Sequence, residues 1–88
     1  MEIVFTENAL KDLKHWQTSG NNAIKNKISQ LLLAIKQDPC RGIGKPEALK
    51  HFLTGCWSRR INKEHRLVYQ VDENQITVLA LLFHYDTF

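Results

Sequence analysis

The spacing of the apolar residues changes part-way along this chain, and that change constrains the fold more than any other feature. In the first 37 residues, apolar side chains recur every three or four positions, which puts them on one face of an α-helix. The clearest stripe of this kind consists of Ile24, Ile28, Leu31, Leu32 and Ile35. From residue 56 onward, β-branched and aromatic residues fall into short runs separated by turn residues, a pattern typical of strands. The sequence therefore predicts helices followed by a β-meander.

Local signals set the boundaries in the first half of the chain. A first strand is predicted at Glu2–Phe5, and Thr6 is placed to cap a helix that stops at Gly20. Asn21 or Asn22 is placed to cap the second helix, which Asp38-Pro39 ends. These two helices are predicted to form an αα-hairpin.

The second half of the chain is predicted to form a loop followed by strands. Residues 40–47 contain two glycines and a proline and are predicted to be a loop. Residues 50–53 lead into predicted strands at 56–61, 66–71 and 75–85. The whole order predicts a single α+β domain, residues 1–88, with an N-terminal strand, a two-helix hairpin and an antiparallel meander. Its helices are expected to pack on one sheet face.

Alternation along the predicted strands divides the sheet residues between two faces. If the turns keep odd lengths, Arg60 and Arg66 share a face with His84. The other predicted members of that polar face are Ser58, Val68, Gln70, Ile76, Val78, Ala80 and Leu82. The opposite face is nearly all apolar and is predicted to pack on the helices; it holds Trp57, Ile61, Leu67, Tyr69, Val71, Leu79, Leu81 and Phe83. A one-residue slip in register would exchange the two faces.

Composition excludes several classes of protein. With 43% hydrophobic and 24% charged residues in 88, the chain resembles a folded domain rather than a disordered one. Cys40 and Cys56 are too few for a disulfide framework, and the histidines at 51, 65 and 84 lack metal-ligand spacing. The longest apolar run is six residues, and the acidic N-terminus is unlike a signal peptide. We therefore expect a cytoplasmic protein without a metal, a cofactor or a membrane partner.

Positive charge is concentrated in the first part of the predicted meander. The formal net charge of the chain is only +3, but residues 45–66 alone carry six basic and two acidic residues, a net charge of +4. The six are Lys45, Lys50, Arg59, Arg60, Lys63 and Arg66. A solvated hairpin face would account for such a cluster, and so would a phosphate-binding surface that uses the fork geometry of arginine.

Glu47 and His84 add acid–base groups to this cluster of positive charge. A carboxylate, a histidine and fixed cations suffice for RNA cleavage without a metal, because one group deprotonates the 2′-OH and another protonates the 5′-oxygen. Each residue also has an ordinary explanation. His84 would be a structural histidine, Glu47 a loop acid paired with Lys50, and Tyr85 the aromatic end of a core strand rather than a base-stacking platform.

Three motifs resemble one known family along nearly the whole chain. They are GKPE-x-LKH from Gly44, G-x-WSRRI from Gly55 and EHRLVY from Glu64, with a closing His84-Tyr85. In this order and spacing they resemble the YoeB (Txe) toxins, members of the RelE superfamily of type II toxin–antitoxin systems.

The resemblance implies an mRNA interferase, a toxin that enters the ribosomal A site and cuts the bound message. It implies Glu47 as general base, His84 as general acid and Arg66 as the main transition-state cation. It also implies phosphate contacts for Lys50 and Arg60, and a stacking or orienting role for Tyr85. The charge block adds Arg59 as a further predicted phosphate contact. The implied partners are a YefM-type antitoxin of the Phd group, the ribosome and a second copy of the chain, with operator DNA reached only through the antitoxin.

One departure from the family and one alternative function remain. Family chains commonly stop near the His-Tyr pair, whereas Asp86-Thr87-Phe88 follow here, and the carboxylate of Asp86 is placed to hold His84 protonated at higher pH. The alternative function is a non-catalytic RNA- or partner-binding module of the same fold. A DNA-binding subunit is disfavoured because neither predicted helix is strongly basic.

Overall fold

A computed structural model of the chain describes residues 1–50 and 54–82. Strand β1 (Glu2–Phe5) is followed by helices α1 (Glu7–Thr18) and α2 (Asn22–Gln37). Strands β2 (Glu47–Ala48), β3 (Cys56–Arg60), β4 (Arg66–Val71) and β5 (Gln75–Ala80) complete the described part. They form one five-stranded sheet in the order β1-β5-β4-β3-β2, in which β1 pairs with β5 in parallel and the other pairs are antiparallel. The predicted α+β fold with a two-helix hairpin is confirmed.

The predicted caps begin both helices. The Thr6 hydroxyl accepts a hydrogen bond from the Ala9 amide at 3.1 Å, and Asn21 Oδ1 accepts one from the Ile24 amide at the same distance. Each bond satisfies one of the amides that the first turn of a helix leaves without a helical partner. Gly20, between the helices, has a φ of 77°, a conformation that glycine adopts readily.

The helices cover one face of the sheet. The main core lies between them and the sheet and is built from Ala9, Trp16, Ile24, Ile28, Leu31, Ile35, Ile61, Leu67, Tyr69, Ile76, Val78 and Leu81. Trp57 packs against this core, as predicted. The opposite face carries a smaller apolar cluster of Leu49, Cys56, Val68 and Ala80. None of the helices in the two described ranges has both the length and the apolar character needed to cross a membrane.

Two predicted element boundaries are wrong. Glu47, placed at the end of the predicted loop, and Ala48, which was assigned to no element, form β2, while Lys50 lies outside any strand. The two-residue ladder had no sequence signal because the glycines and Pro46 beside it indicate a loop. The last strand was predicted to reach Tyr85, but β5 ends at Ala80 and the next two residues form a bend. The remainder of that predicted strand, like residues 51–53, falls outside the described residues.

The predicted faces are wrong for part of β5. Val71 pairs with Ile76, so the loop between them has four residues rather than an odd number, and Ile76 and Val78 belong to the core under the helices. A β-bulge follows, in which Val68 pairs with Ala80 and Tyr69 with Val78, so that Leu79 is the extra residue. The bulge returns Ala80 to its predicted face, beside Val68. Leu79 therefore packs on the uncovered face, and Leu82, past the end of the strand, packs against the main core.

Candidate active site

Strand β2 sets the position of Glu47. Glu47 lies opposite Ser58 on β3, and Ala48 lies opposite Trp57. The amide of Leu49 then donates to the Cys56 carbonyl at 2.9 Å, which extends the pairing by one residue. Because β2 is an edge strand and the Glu47 side chain is exposed, a substrate in solution can reach its carboxylate.

Arg60 and Arg66 are direct partners across the β3–β4 hairpin. The Cα atoms of such partners are about 4.5–5.5 Å apart. Arg60 is exposed, while Arg66 is half-buried and donates from Nη1 to the Ser58 hydroxyl at 3.4 Å. Like charges directly opposite each other are unfavourable in a sheet, so a bound anion would relieve the repulsion of this pair.

A buried serine, Ser58, lies next to both Glu47 and Arg66. It is fully buried, lies opposite Glu47 and accepts the hydrogen bond from Arg66. The strand register puts all four residues on the sheet face that the helices leave uncovered. The predicted sharing of one face by Arg60 and Arg66 is confirmed. The role of Ser58 was missed, although the alternation had already assigned it to this face.

Arg59 has a different environment from Arg60. Its side chain is 0% exposed and points to the helix side of the sheet. Its Nε donates to the Tyr69 hydroxyl at 3.0 Å, and its terminal nitrogens donate to the carbonyls of Asp38, Arg41 and Ile43 at 2.7, 2.8 and 3.1 Å. The prediction that Arg59 binds phosphate is therefore corrected, because its donors are engaged inside the protein. Arg59 instead ties the loop after α2 to β3.

Tyr69 completes this internal network. Its hydroxyl accepts from Arg59 and donates to the Pro39 carbonyl at 2.6 Å. Burial raises the pKa of Tyr69, and the hydrogen bond and charge of Arg59 oppose that rise. The loop that leads from α2 to Glu47 is thus fixed from beneath by a buried cation and a buried phenol.

The remaining predicted site residues lie at the edges of the described chain. Lys50 is exposed and follows the paired part of β2, so the sheet register does not set its direction. His84 and Tyr85 fall outside the described residues, as do Asp86-Thr87-Phe88.

Helix α1 fixes the chain three residues before His84. The half-buried Asp12 accepts a hydrogen bond from the Leu81 amide at 2.9 Å through Oδ2. Trp16 Nε1 donates to the Leu81 carbonyl at 2.7 Å. The sequence assigned Trp16 only to the apolar stripe and missed Asp12. The available signal was an acid four positions before a tryptophan, because residues at that spacing lie on one helix face.

The two cysteines lie in different environments. Cys56 is buried in the small apolar cluster, and that burial raises the pKa of its thiol. A raised pKa disfavours the thiolate, which is the reactive form. Cys40 is exposed in the loop after α2.

Comparison with known proteins decides the family. Residues 5–85 match the family model described as the YoeB-like toxin of bacterial type II toxin–antitoxin systems. The chain belongs to the YoeB family. It is accordingly a toxin of the type II toxin–antitoxin class, as its motifs predicted.

Individual YoeB proteins are similar over almost their full length. Toxin YoeB of Synechocystis is 46% identical over 85 residues, which cover 97% of this chain and 98% of that protein. The structure of a YoeB/ParE toxin from Agrobacterium tumefaciens is 39% identical, covers 97% of this chain and 100% of its own, and has a TM-score of 0.90.

The YoeB protein of Staphylococcus aureus has been solved in two assemblies. As a dimer it is 45% identical, with a TM-score of 0.86, and in a YoeB–YefM complex it is 46% identical, with a TM-score of 0.84. In both comparisons the aligned region covers 97% of this chain and 98% of the other.

Proposed function

We propose that this YoeB-family toxin is an endoribonuclease that cuts mRNA in the ribosomal A site by acid–base chemistry, without a metal ion. One observation carries the proposal: Glu47, Arg60 and Arg66 share the uncovered sheet face, where Ser58 lies opposite Glu47 and accepts a hydrogen bond from Arg66. An exposed carboxylate beside two cations is suited to a phosphodiester, because the cations attract the phosphate and the carboxylate accepts a proton.

Glu47 and His84 carry out the two proton transfers. Glu47 removes the proton from a ribose 2′-OH, and the resulting oxygen attacks the adjacent phosphorus. The bond from phosphorus to the 5′-oxygen breaks, and His84 protonates that leaving oxygen. The products are a fragment ending in a 2′,3′-cyclic phosphate, or the 3′-phosphate formed from it, and a fragment that begins with a 5′-OH. DNA is not a substrate, because it lacks the attacking hydroxyl.

The cations stabilise the charge that develops on the phosphate. Arg66 is the main contributor, because its half-buried side chain is held by Ser58 and needs little reorganisation when the transition state forms. Arg60 and Lys50 add positive charge around the same phosphate, and Tyr85 orients or stacks on the base next to His84.

The partners follow from the same surface. A YefM-type antitoxin would inhibit the toxin by covering the uncovered sheet face, and the Staphylococcus aureus YoeB–YefM complex supports a partner of this type. The YoeB dimer from that organism supports self-association of this chain. A ribosomal substrate implies action in the cytoplasm, and operator DNA would be reached through the antitoxin alone.

Translation in a cell-free system, followed by mapping of the message ends, tests this proposal. The wild-type toxin is expected to produce cuts at codons in the A site, and Arg66→Ala and His84→Gln are expected to abolish them. Lys36→Gln is the matched control, because Lys36 is exposed in the last turn of α2, away from the site. It is expected to cut like the wild type.

Two results would contradict the proposal. An intact message with the wild-type toxin would leave the non-catalytic binding module as the better account. Unchanged cutting by both Arg66→Ala and His84→Gln would assign the chemistry to other residues.

A further inference from the structure

A second cationic site lies beside the candidate active site. A cavity of about 350 Å³ opens where the second turn of α2, the loop before β2 and the β3–β4 turn meet. Four of its seven lining residues are basic, namely Lys27, Lys45, Arg60 and Lys63, and none is acidic. The volume is at the lower end of the range of about 300–1,000 Å³ that is usual for ligand sites.

The four cations come from three separate parts of the chain. Lys45, Arg60 and Lys63 belong to the positive block seen in the sequence, whereas Lys27 comes from α2, more than 30 positions before Arg60. Lys27 is half-buried even though lysine is usually well exposed. Folding therefore adds a helix cation to the hairpin cations. Charges of one sign around a concave surface focus the potential and attract an anion.

The loop that carries Lys45 is held tightly against the rest of the protein. Lys45 has a φ of 51°, a left-handed conformation that is uncommon for lysine. The preceding Gly44 accepts a hydrogen bond from the Arg60 amide at 2.6 Å through its carbonyl. A Cβ added to Gly44 would lie 2.6 Å from Leu31 Cδ2 and 3.1 Å from Arg59 Cβ. Strained backbone that is retained by its surroundings is often found at functional sites.

The turn that carries Lys63 is also fixed. Asn62 Oδ1 accepts hydrogen bonds from the amides of Glu64 and His65 at 2.9 and 2.8 Å. The amide of Ile61 donates to the His65 carbonyl at 2.9 Å and closes the turn. The backbone beneath Lys45, Arg60 and Lys63 is therefore set before any ligand arrives, which lowers the entropic cost of binding.

We propose that this cavity is a second phosphate subsite, which binds an RNA backbone phosphate next to the one being cleaved. Arg60 connects the two sites, because it lines the cavity and lies directly opposite Arg66. The identity of the ligand as RNA rests on the proposed function, whereas the cavity and its charge do not. Lysine binds phosphate without reading base identity, so the subsite contributes affinity and register rather than sequence preference.

Direct binding tests the subsite without requiring cleavage. The test variant is Lys27→Gln/Lys63→Gln, and the matched control is Lys14→Gln/Lys36→Gln, which removes the same charge from exposed helix positions away from the cavity. Dissociation constants are measured at several salt concentrations in two arms. One arm uses a short 2′-O-methyl oligoribonucleotide, which lacks the nucleophile, and the other uses ribosomes without message.

The test variant is expected to bind more weakly than the control variant and to lose about 0.7–1 from the slope of log K against log salt. A loss with the oligonucleotide supports a subsite for the message strand, whereas a loss with ribosomes alone would contradict that placement, because the bound phosphate would then belong to ribosomal RNA. If test and control variants match in both arms, or the wild type binds neither ligand, the subsite is disproved. Binding without cleavage would instead remove only the catalytic proposal.

The folding of each variant is checked by its melting temperature. If Lys27→Gln unfolds the protein, Lys45→Asn/Lys63→Gln replaces the test variant, because asparagine tolerates a positive φ. The same loss of salt dependence is expected, and its absence has the same meaning.

Discussion

The two neighbouring arginines on β3 should differ in how much the same substitution changes the stability of the fold. Methionine in place of Arg59 or Arg60 keeps much of the apolar length of the side chain and removes the guanidinium. Arg59 is fully buried and donates hydrogen bonds to Tyr69 and to the loop carbonyls, whereas Arg60 is exposed. Arg59→Met should therefore destabilise the fold, and Arg60→Met should leave its stability unchanged.

The size of the effect follows from the Arg59 contacts. A hydrogen bond to a charged group contributes about 1.5–3 kcal/mol, but Arg41 and Ile43 are exposed loop residues, so their carbonyls recover part of this from water when the arginine is removed. We expect Arg59→Met to lower the free energy of unfolding by about 3–5 kcal/mol. At about 0.05–0.15 kcal/mol per residue, a chain of 88 residues has about 4–13 kcal/mol in total. The loss is therefore large enough to threaten folding.

Urea unfolding measures this difference. With a slope of about 1–2 kcal/mol per molar urea, Arg59→Met should lower the midpoint by at least about 1.5 M. Arg60→Met should stay within about 0.5 kcal/mol of the wild type and still lose affinity for RNA. A loss below about 1 kcal/mol for Arg59→Met, or equal losses for the two variants, would refute the structural role given to Arg59.

Three further perturbations have expected outcomes. Trp16→Phe removes the donor to the buried Leu81 carbonyl and should cost about 1–3 kcal/mol in thermal or urea unfolding; an unchanged stability would mean that this bond does not anchor the end of β5. Burial raises the pKa of Cys56 above its ordinary value of 9.0 and the pKa of Tyr69 above its ordinary value of 10.0. As pH rises past each ordinary value, the group loses its proton in the unfolded chain before it does so in the folded protein, so the free energy of unfolding should fall. When stability is measured against pH, Cys56→Ala should weaken the decrease that begins near pH 9 and Tyr69→Phe the decrease that begins near pH 10. Profiles identical to the wild type would contradict this. Glu47→Gln should lower single-turnover cleavage by about 10²–10⁴-fold with an unchanged melting temperature, and a rate within tenfold of the wild type would argue against Glu47 as the base.

The helices and their caps could be predicted because their signals are local. Thr6 and Asn21 each act within three residues of their own position, and the apolar stripe on α2 needs no knowledge of the sheet. The common face of Arg60 and Arg66 was predictable for a similar reason, since a hairpin of odd loop length joins them.

The errors arose where distant parts of the chain determine the local structure. The positive charge of Arg59 suggested a phosphate contact, but its side chain lies on the helix side of the sheet, and the carbonyls that accept its hydrogen bonds lie 16–21 positions away. The bulge at Leu79 depends on how β5 pairs with β4, and the two-residue β2 exists only because β3 lies beside it. Asp12 and Leu81 are 69 positions apart, so no local pattern predicts their hydrogen bond.

Cleavage of a message with one 2′-deoxynucleotide at the attacking position shows whether the ribose 2′-OH is the nucleophile. Ribosomes are programmed with this message or with its all-ribose counterpart, the wild-type toxin is added, and the end groups of the fragments are determined. With the 2′-OH as nucleophile, the all-ribose message is expected to be cut in the A-site codon to give a 5′-OH and a 2′,3′-cyclic or 3′-phosphate, while the deoxy message stays intact at that codon. Equal cutting of both messages, or a 5′-phosphate on the downstream fragment, would contradict acid–base cleavage through the 2′-OH.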